Sequence, residues 1–223
     1  MNWFTSLLSS TLGRKLIMAL TGLFLIVFLV IHLIGNLQLL KDDGGEAFNI
    51  YARFMTSNPL IKIISYLLYT SIVVHALWAL MLTIQNRRAR GKGYEVNKNS
   101  SAWTSRNMGI LGTILLIFIV IHMKDFWAVM HWGAIPKAIY EGEEVKDLYA
   151  LVSIWFEKGW YVALYVFCMA ALAFHLWHGF ASAFQTLGLN HLKYNAVIRF
   201  TGRAFAIFVP ALFAWIPVYM FVY

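Results

Sequence analysis

Histidine is the residue type whose placement in this sequence most directly indicates chemistry. Seven histidines occur, and five of them lie within long apolar stretches. Those five are His32, His75, His122, His175 and His178. An ionisable side chain is costly inside a segment that contacts lipid, so each of the five is a candidate functional residue. The other two, His131 and His191, lie at or beyond the ends of the apolar stretches.

The apolar stretches that carry these histidines are long enough to cross a bilayer as helices. There are five, covering about Leu16–Leu40, Leu60–Gln85, Met108–Trp132, Gly159–Phe184 and Phe200–Tyr223. A hydrocarbon core of about 30 Å takes about 20 helical residues to cross, and backbone groups in lipid must pair within their own segment. The chain is 61% hydrophobic and 13% charged, whereas soluble domains have about 25% charged residues. We therefore predict an all-α bundle of five transmembrane helices that forms one domain over residues 1–223.

The charged residues separate the two ends of the predicted helices. Eleven of the 18 Lys and Arg residues flank the end at which the chain begins, and the other seven share the opposite end with nine of the ten acids. We call these the basic end and the acidic end. Basic flanks favour the cytoplasm, so we predict a cytoplasmic N-terminus and an outside C-terminus in a multi-pass protein of a bacterial inner membrane. The net charge of +8 is thus assigned to topology, with no nucleic-acid partner. The Ile135–Phe156 connection is predicted to be a solvated acidic loop.

Residue counting places four of the histidines at two depths. At about 1.5 Å per residue, His32 and His122 lie roughly 27 Å and 24 Å from the basic end, and His75 and His175 roughly 18 Å and 20 Å. Haem iron bound by two imidazoles takes one from each side of the porphyrin, and bundles build such sites from facing helices. We predict an outer haem held by His32 and His122, and an inner haem held by His75 and His175. Without a C-x-x-C-H motif, both haems are non-covalent and b-type.

Alternatives to this ligand set stay open. His178 shares a helix face with His175 and competes for the inner haem. Gly179 favours His175, because it leaves room for a porphyrin, and His178 would then contact a haem propionate or simply pack. A zinc site has little support, since no H-E-x-x-H motif is present. A transporter with histidines along a proton path would normally include buried carboxylates, and Asp125 lies only near the outer end of the third helix.

Several motifs, spread over essentially the whole chain, resemble one family. They are Ser10-Thr-Leu-Gly-Arg-Lys15, His32-Leu-Ile-Gly35-Asn36, Gly45-Glu-Ala-Phe-Asn49 and Phe174-His175-x-x-x-Gly179. With the four histidines on four successive helices, they resemble the cytochrome b subunit of succinate dehydrogenases and fumarate reductases. The match is to the single-subunit, five-helix type that holds two haems.

The resemblance implies a function. Such a subunit anchors a flavoprotein and an iron–sulfur protein on the cytoplasmic side of the membrane. Through two haems b it carries electrons between the iron–sulfur subunit and a quinone near the outer face, usually menaquinone. It is an electron-transfer subunit without catalytic residues of its own. The alternative within haem proteins is the cytochrome b subunit of another respiratory dehydrogenase, such as a hydrogenase or a formate dehydrogenase.

A quinone site needs a polar group near the outer haem, because quinone reduction consumes two protons per two electrons. Asn36 lies one helical turn outward from His32, and Gln38, Glu46 and Arg53 follow it closely in the sequence. We predict that these four residues contribute to quinone binding. Each of them also suits an ordinary role as a polar residue of a helix end or loop.

Overall fold

The computed structural model describes residues 2, 10–89, 103–140 and 142–223. Its helices are α1 (Thr11–Asn36), α2 (Glu46–Ser57), α3 (Pro59–Ala89), α4 (Trp103–Trp132), α5 (Leu148–Phe156), α6 (Gly159–Thr186) and α7 (Asn195–Val222). A 3-10 turn, Leu37–Leu40, extends α1, and a π-helical turn, Met123–Ala128, interrupts α4. The strands β1 (Lys137–Tyr140) and β2 (Glu143–Lys146) form an antiparallel hairpin. Five charged residues of the predicted loops lie outside the described residues: Arg90, Lys92, Glu95, Lys98 and Glu141.

Five of the helices within the described ranges are long and apolar enough to cross a membrane, namely α1, α3, α4, α6 and α7. This confirms the predicted all-α membrane bundle. At the basic end, α1, α4 and α7 each begin five residues before the corresponding apolar stretch. Arg106 and Arg199 therefore belong to helices and not to loops. Long basic side chains tolerate this position because their charged ends reach the water at the membrane boundary.

Four of the membrane helices form a ring. Packing joins α1 to α3, α3 to α4, α4 to α6, and α6 back to α1. Consequently α1 faces α4 across the bundle, and α3 faces α6. The most extensive contact of the molecule is between α6 and α7, which lies outside the ring. There Gly202 lets the helices approach, since a Cβ at that position would lie 2.6 Å from the Phe180 ring.

The acidic-end connection is structured, which corrects the prediction of a solvated loop. The hairpin of β1 and β2 leads into α5, whose Val152 and Phe156 are buried in the main core. Apolar side chains on one face of α5 explain the difference, because their burial outweighs the solvation of the neighbouring acids. The outer pair of histidines thus lies beneath a packed layer.

Asn49 of α2 ties this layer together. Its side chain is 1% exposed. The amide donates to the Tyr140 hydroxyl and to the Asp147 carboxylate, both at 3.0 Å, and its carbonyl accepts from the Tyr149 backbone N–H at 2.9 Å. A buried amide with every strong partner satisfied stabilises a fold, whereas an unsatisfied one costs about 1–3 kcal/mol.

Two glycines of the family motifs have steric reasons. Gly45 has a φ of +89° and lies against Tyr149, so that a Cβ there would come within 2.2 Å of the ring. At Gly35 a Cβ would lie 2.4 Å from the Tyr51 ring, which docks α2 onto α1. Partial burial at this contact raises the pKa of the Tyr51 phenol. Both positions exclude larger residues and hold the acidic-end layer close to the bundle.

The core is concentrated in the acidic half of the bundle. The largest cluster of buried side chains is made of Leu33, Leu39, Val152, Phe156, Tyr161, Val162, Tyr165, Val209 and Ile216. A smaller cluster joins α4 to α6 through Leu111, Leu115 and Ala171. Many apolar side chains of α1 and α3 are exposed on the outside of the ring, as expected of helices that contact lipid.

Candidate metal centre with two histidine pairs

The structure brings four of the predicted site residues together in two pairs. The ring centroids of His32 and His122 are 5.8 Å apart with planes at 88°, and those of His75 and His175 are 6.4 Å apart at 65°. In each pair the histidines come from helices that face each other across the ring. A metal bonded to two imidazoles at about 2.0–2.1 Å each holds their centroids roughly 6 Å apart. Each pair has the spacing for one metal ion of its own. Metal ligation itself stays a prediction.

The two pairs lie at different levels of the bundle. A Cβ at Gly22 would lie 3.4 Å from His75, and one at Gly112 would lie 4.0 Å from His175. Gly22 and Gly112 each precede an outer histidine by ten residues in the same helix, which corresponds to roughly 15 Å. Residue counting from the basic end gave a smaller separation between the two levels. The order of the two levels is the predicted one.

The inner pair has few polar partners. His75 Nδ1 lies 3.1 Å from the Thr21 hydroxyl, which itself lies 2.8 Å from the Ile17 carbonyl. A threonine hydroxyl has one proton to donate. With that proton on the carbonyl, the hydroxyl accepts from His75 Nδ1–H, and the lone pair of Nε2 is left for a metal. Within the described ranges, the Nδ1 atom of His175 is buried without a hydrogen-bond partner, and so is Nε1 of Trp78, one turn from His75.

Glycines surround the inner pair. Gly22 and Gly112 lie beside the two imidazoles, where a Cβ would be in ordinary van der Waals contact with His75 or His175. At Gly179, one turn after His175, a Cβ would meet no atom within 4 Å. The space assigned to a porphyrin edge on sequence grounds is therefore present. Adjacent glycines, open space and unpartnered ring nitrogens fit the residues of this level to a planar metal-bearing group.

The outer pair lies among aromatic side chains. Phe28 stacks on His32 at 5.1 Å, and Phe126 lies 5.3 Å from His122. Phe118, Tyr165 and Phe213 complete the surroundings. His122 Nδ1 is hydrogen-bonded to the Tyr165 hydroxyl at 2.9 Å. The aromatic rings and the core cluster of the acidic half position this pair.

His178 occupies a different site from the pairs. It is half-buried and lines a cavity of about 220 Å³ at the basic end, together with Ser182, Arg199 and Arg203. The Arg203 guanidinium also lies over the Trp177 ring at 5.3 Å. His175, and not His178, is the histidine that adjoins His75. Two guanidinium groups beside His178 make this cavity suitable for carboxylates.

The predicted quinone residues have local partners. The Asn36 amide donates to the His32 carbonyl at 2.8 Å, and the Gln38 amide lies 3.4 Å from the Ile34 carbonyl. Arg53 forms an ion pair with Glu143 of β2. Glu46 lies in the first turn of α2, where a negative charge is favourable. No hydrogen bond or ion pair within the described ranges joins any two of these four, so their quinone role stays a prediction.

Sequence reasoning missed a buried polar chain that leads to the outer pair. Asp125, in the π-helical turn of α4, is 4% exposed. It accepts a hydrogen bond from the Tyr161 hydroxyl at 3.1 Å, and Tyr161 lies 3.5 Å from the Tyr165 hydroxyl. The sequence places Asp125 near the outer end of the third helix and indicates no role for it. The available signal was spacing, since Asp125 follows His122 by three residues and the tyrosines are four apart.

The kind of metal that this arrangement suits follows from the number of side chains. Within the part of the chain that the structure describes, no group of three or more His, Cys, Asp or Glu side chains is gathered for a metal. Zinc sites normally take three or four protein ligands. A pair of histidines suits a metal that brings its other ligands with it, as porphyrin iron does.

Comparison with known proteins gives no family assignment. No family model, no curated protein and no solved structure matches this chain. The resemblance to cytochrome b subunits therefore rests on the motifs and histidine order of the chain itself.

Proposed function

We propose that this chain is the cytochrome b membrane subunit of a succinate:quinone oxidoreductase in a bacterial inner membrane. Bound haem b would supply a one-electron carrier at each histidine pair. The main support is the geometry of the two pairs, with ring centroids 5.8 Å and 6.4 Å apart on opposite helices. Their order gives an electron path that crosses most of the membrane from the basic end to the acidic end.

In this proposal the residues of each level bind and orient the haem. His75 and His175 are the inner ligands, and Gly22, Gly112 and Gly179 leave the porphyrin room. His32 and His122 are the outer ligands, held among aromatic rings. Because neutral imidazole must offer Nε2 to iron, hydrogen bonds at Nδ1 orient the ligand rings.

The cavity at the basic end suits the carboxylates of the inner haem. His178, Arg199 and Arg203 line it, and guanidinium groups pair with carboxylates through charge-assisted hydrogen bonds. In this proposal His178 is therefore a propionate contact and not an iron ligand.

The partners follow from the resemblance and the charge distribution. The iron–sulfur and flavoprotein subunits would bind at the basic, cytoplasmic end, next to the inner haem. The quinone, which the family type suggests is menaquinone, would bind near the acidic end. Asn36, Gln38, Glu46 and Arg53 lie on that side of the chain and remain the proposed quinone contacts.

Haem counting on the complex isolated from its native membrane tests the proposal. We expect about two haems b per chain in a pyridine haemochrome spectrum, and reduction of both haems by succinate. A chain isolated without haem would contradict the proposal and favour a transporter. Haems reduced by hydrogen or formate, but not by succinate, would instead identify the subunit of another dehydrogenase.

A further inference from the structure

We infer that Asp125, Tyr161 and Tyr165 are positioning residues for the outer haem, which act by orienting His122 with its Nε2 atom toward the iron. The inference rests on the proposed function and deepens it. It explains why a carboxylate is buried in a membrane helix at this position.

The three residues form a continuous hydrogen-bonded chain. The Tyr161 hydroxyl donates to Asp125 Oδ2 at 3.1 Å, the two tyrosine hydroxyls are 3.5 Å apart, and Tyr165 lies 2.9 Å from His122 Nδ1. Tyr161 is 1% exposed and Tyr165 6% exposed. The chain therefore runs through the core of the acidic half, where hydrogen bonds are strong because the surroundings are apolar.

The carboxylate sets the direction of the protons along this chain. An ionised carboxylate only accepts hydrogen bonds, so Tyr161 gives its single proton to Asp125. Its oxygen is then free to accept the proton of Tyr165. Tyr165 in turn accepts from His122 Nδ1–H, and the lone pair of His122 lies on Nε2. A metal-binding histidine is normally oriented in this way by a partner on its other nitrogen.

Burial of the Asp125 carboxylate costs free energy, and the orientation of His122 would explain why a carboxylate is present there. Lys124, with which it forms an ion pair, lies 2.9 Å away and is 70% exposed. Apolar residues in place of a buried ion pair are often neutral or stabilising. Asp125 also lies in a π-helical turn, a distortion frequently found at functional sites. Stability alone gives no reason for this carboxylate, whereas orientation of His122 does.

The two pairs differ in this respect. His75 has a neutral threonine hydroxyl at Nδ1, whereas His122 is connected through two tyrosines to a carboxylate. A partner of this kind makes an imidazole a stronger electron donor and favours the oxidised iron. Removal of the charge should therefore raise the reduction potential of the outer haem and leave that of the inner haem unchanged.

Redox titration of the purified complex, with each haem resolved by its EPR signal, tests this inference. For Asp125→Asn we expect the ratio of reduced to oxidised outer haem at a fixed potential to rise about tenfold, or about 59 mV for one electron. Tyr165→Phe should shift the same haem, and Asp125→Glu should restore most of the wild-type value.

Two variants with matched chemistry serve as controls. Asp42→Asn removes an exposed carboxylate at the same end of the bundle. Tyr69→Phe removes a tyrosine hydroxyl that accepts a hydrogen bond from Trp127 of α4. This hydroxyl is not a member of the series that joins Asp125 to His122. Neither should move the outer potential. Equal shifts in the control and test variants, or a shift of the inner haem alone, would overturn the inference.

A second measurement separates the inference from the proposed function. Nitrogen-15 NMR of labelled histidine in the full-length protein in lipid reports which ring nitrogen of His122 carries the proton. We expect Nδ1–H in the wild type and a loss of this preference in Tyr165→Phe. A proton on Nε2 in the wild type would overturn the inference. Protein without haem but with Nδ1–H would instead contradict the proposed function and leave the orientation of His122 supported.

Discussion

The inner and outer histidine pairs have the same side chains at similar separations, but their surroundings differ. At the inner level, glycines and open space adjoin the imidazoles, one threonine hydroxyl contacts His75, and His175 Nδ1 has no hydrogen-bond partner among the residues that the structure describes. At the outer level, aromatic rings enclose both histidines, and a buried polar chain ends on His122. The inner level therefore has open space beside its histidines, whereas the outer level is closely packed.

This difference indicates that the same kind of ligand, a pair of histidines, is held in position by different features at the two levels. At the inner level the space is shaped by the absence of side chains, so substitutions that add volume should be harmful. At the outer level the rings are held by hydrogen bonds and by the acidic-end layer, so substitutions that remove partners should be harmful. Since partners and burial tune a bound haem, the two haems should differ in potential.

The largest expected effect is the loss of a ligand. His122→Ala should remove the outer haem and His175→Ala the inner haem, each leaving about half of the bound haem, because one imidazole holds iron poorly in place of two. Absorbance and EPR spectra of the isolated complex would show which haem remains. His131→Ala, which changes an exposed histidine of α4, should keep both. If His178→Ala loses the inner haem and His175→Ala retains it, the ligand assignment is wrong.

Added volume at the inner level should have the next largest effect. Gly179→Leu places a side chain in open space, so it should not strain the packing of the polypeptide itself. Inner haem affinity should fall about tenfold or more, since overpacking costs about 1–3 kcal/mol. Haem titration of the haem-depleted membrane protein measures this, with Gly179→Ala as a milder variant. Equal loss of both haems would show that the pairs do not respond separately.

Removal of a partner from the acidic-end layer should act on the outer level. Asn49→Ala breaks three buried hydrogen bonds and should cost about 2–4 kcal/mol. On heating, the variant should release its outer haem at a lower temperature than the wild type, with the inner haem less affected. Asn107→Ala is the matched control, because that amide donates to the Trp103 carbonyl of its own helix. A loss of the inner haem first would contradict the comparison.

The smallest expected effect is at the single hydrogen bond of the inner pair. Thr21→Val keeps the side-chain shape and removes the hydroxyl beside His75. A neutral hydrogen bond contributes about 0.5–1.5 kcal/mol, so the inner potential should shift by less than the outer potential does in Asp125→Asn. Redox titration of the two variants side by side gives the order. A Thr21→Val shift at the outer haem would remove the distinction between the levels.

The parts of the structure that could be predicted from sequence depend on local properties. Hydropathy over about 20 residues indicates a membrane helix, and an ionisable residue such as His75 stands out in an apolar stretch whatever it contacts. Helix rise then orders the histidines by depth, so that the pairing of His32 with His122 follows from residue counting. Span lengths at the basic end were less predictable, because helices continue into polar sequence.

The missed parts depend on contacts between distant residues. The three hydrogen-bond partners of Asn49 are separated from it in the sequence by 91, 98 and 100 positions. Nothing in the acidic composition near Asp147 indicates this pairing. Asp125 meets Tyr161 across 36 residues. Whether a carboxylate near a helix end is solvated or buried is decided by the neighbouring helix. Only the three-dimensional structure could distinguish the two cases.

The slight packing of α3 against α4 and α6 has a consequence for how the protein matures. Of its described apolar side chains, only Leu68 and Leu82 are buried, although this helix supplies His75. Helices associate in lipid through packing and polar contacts and not through hydrophobic burial. Because α3 packs mainly on α1 and only slightly on α4, little holds it against α6 on the other side of the ring. On the proposed function, the inner haem would fasten α3 to α6 during biogenesis. The supply of haem in the cell would then govern how much of this subunit escapes proteolysis.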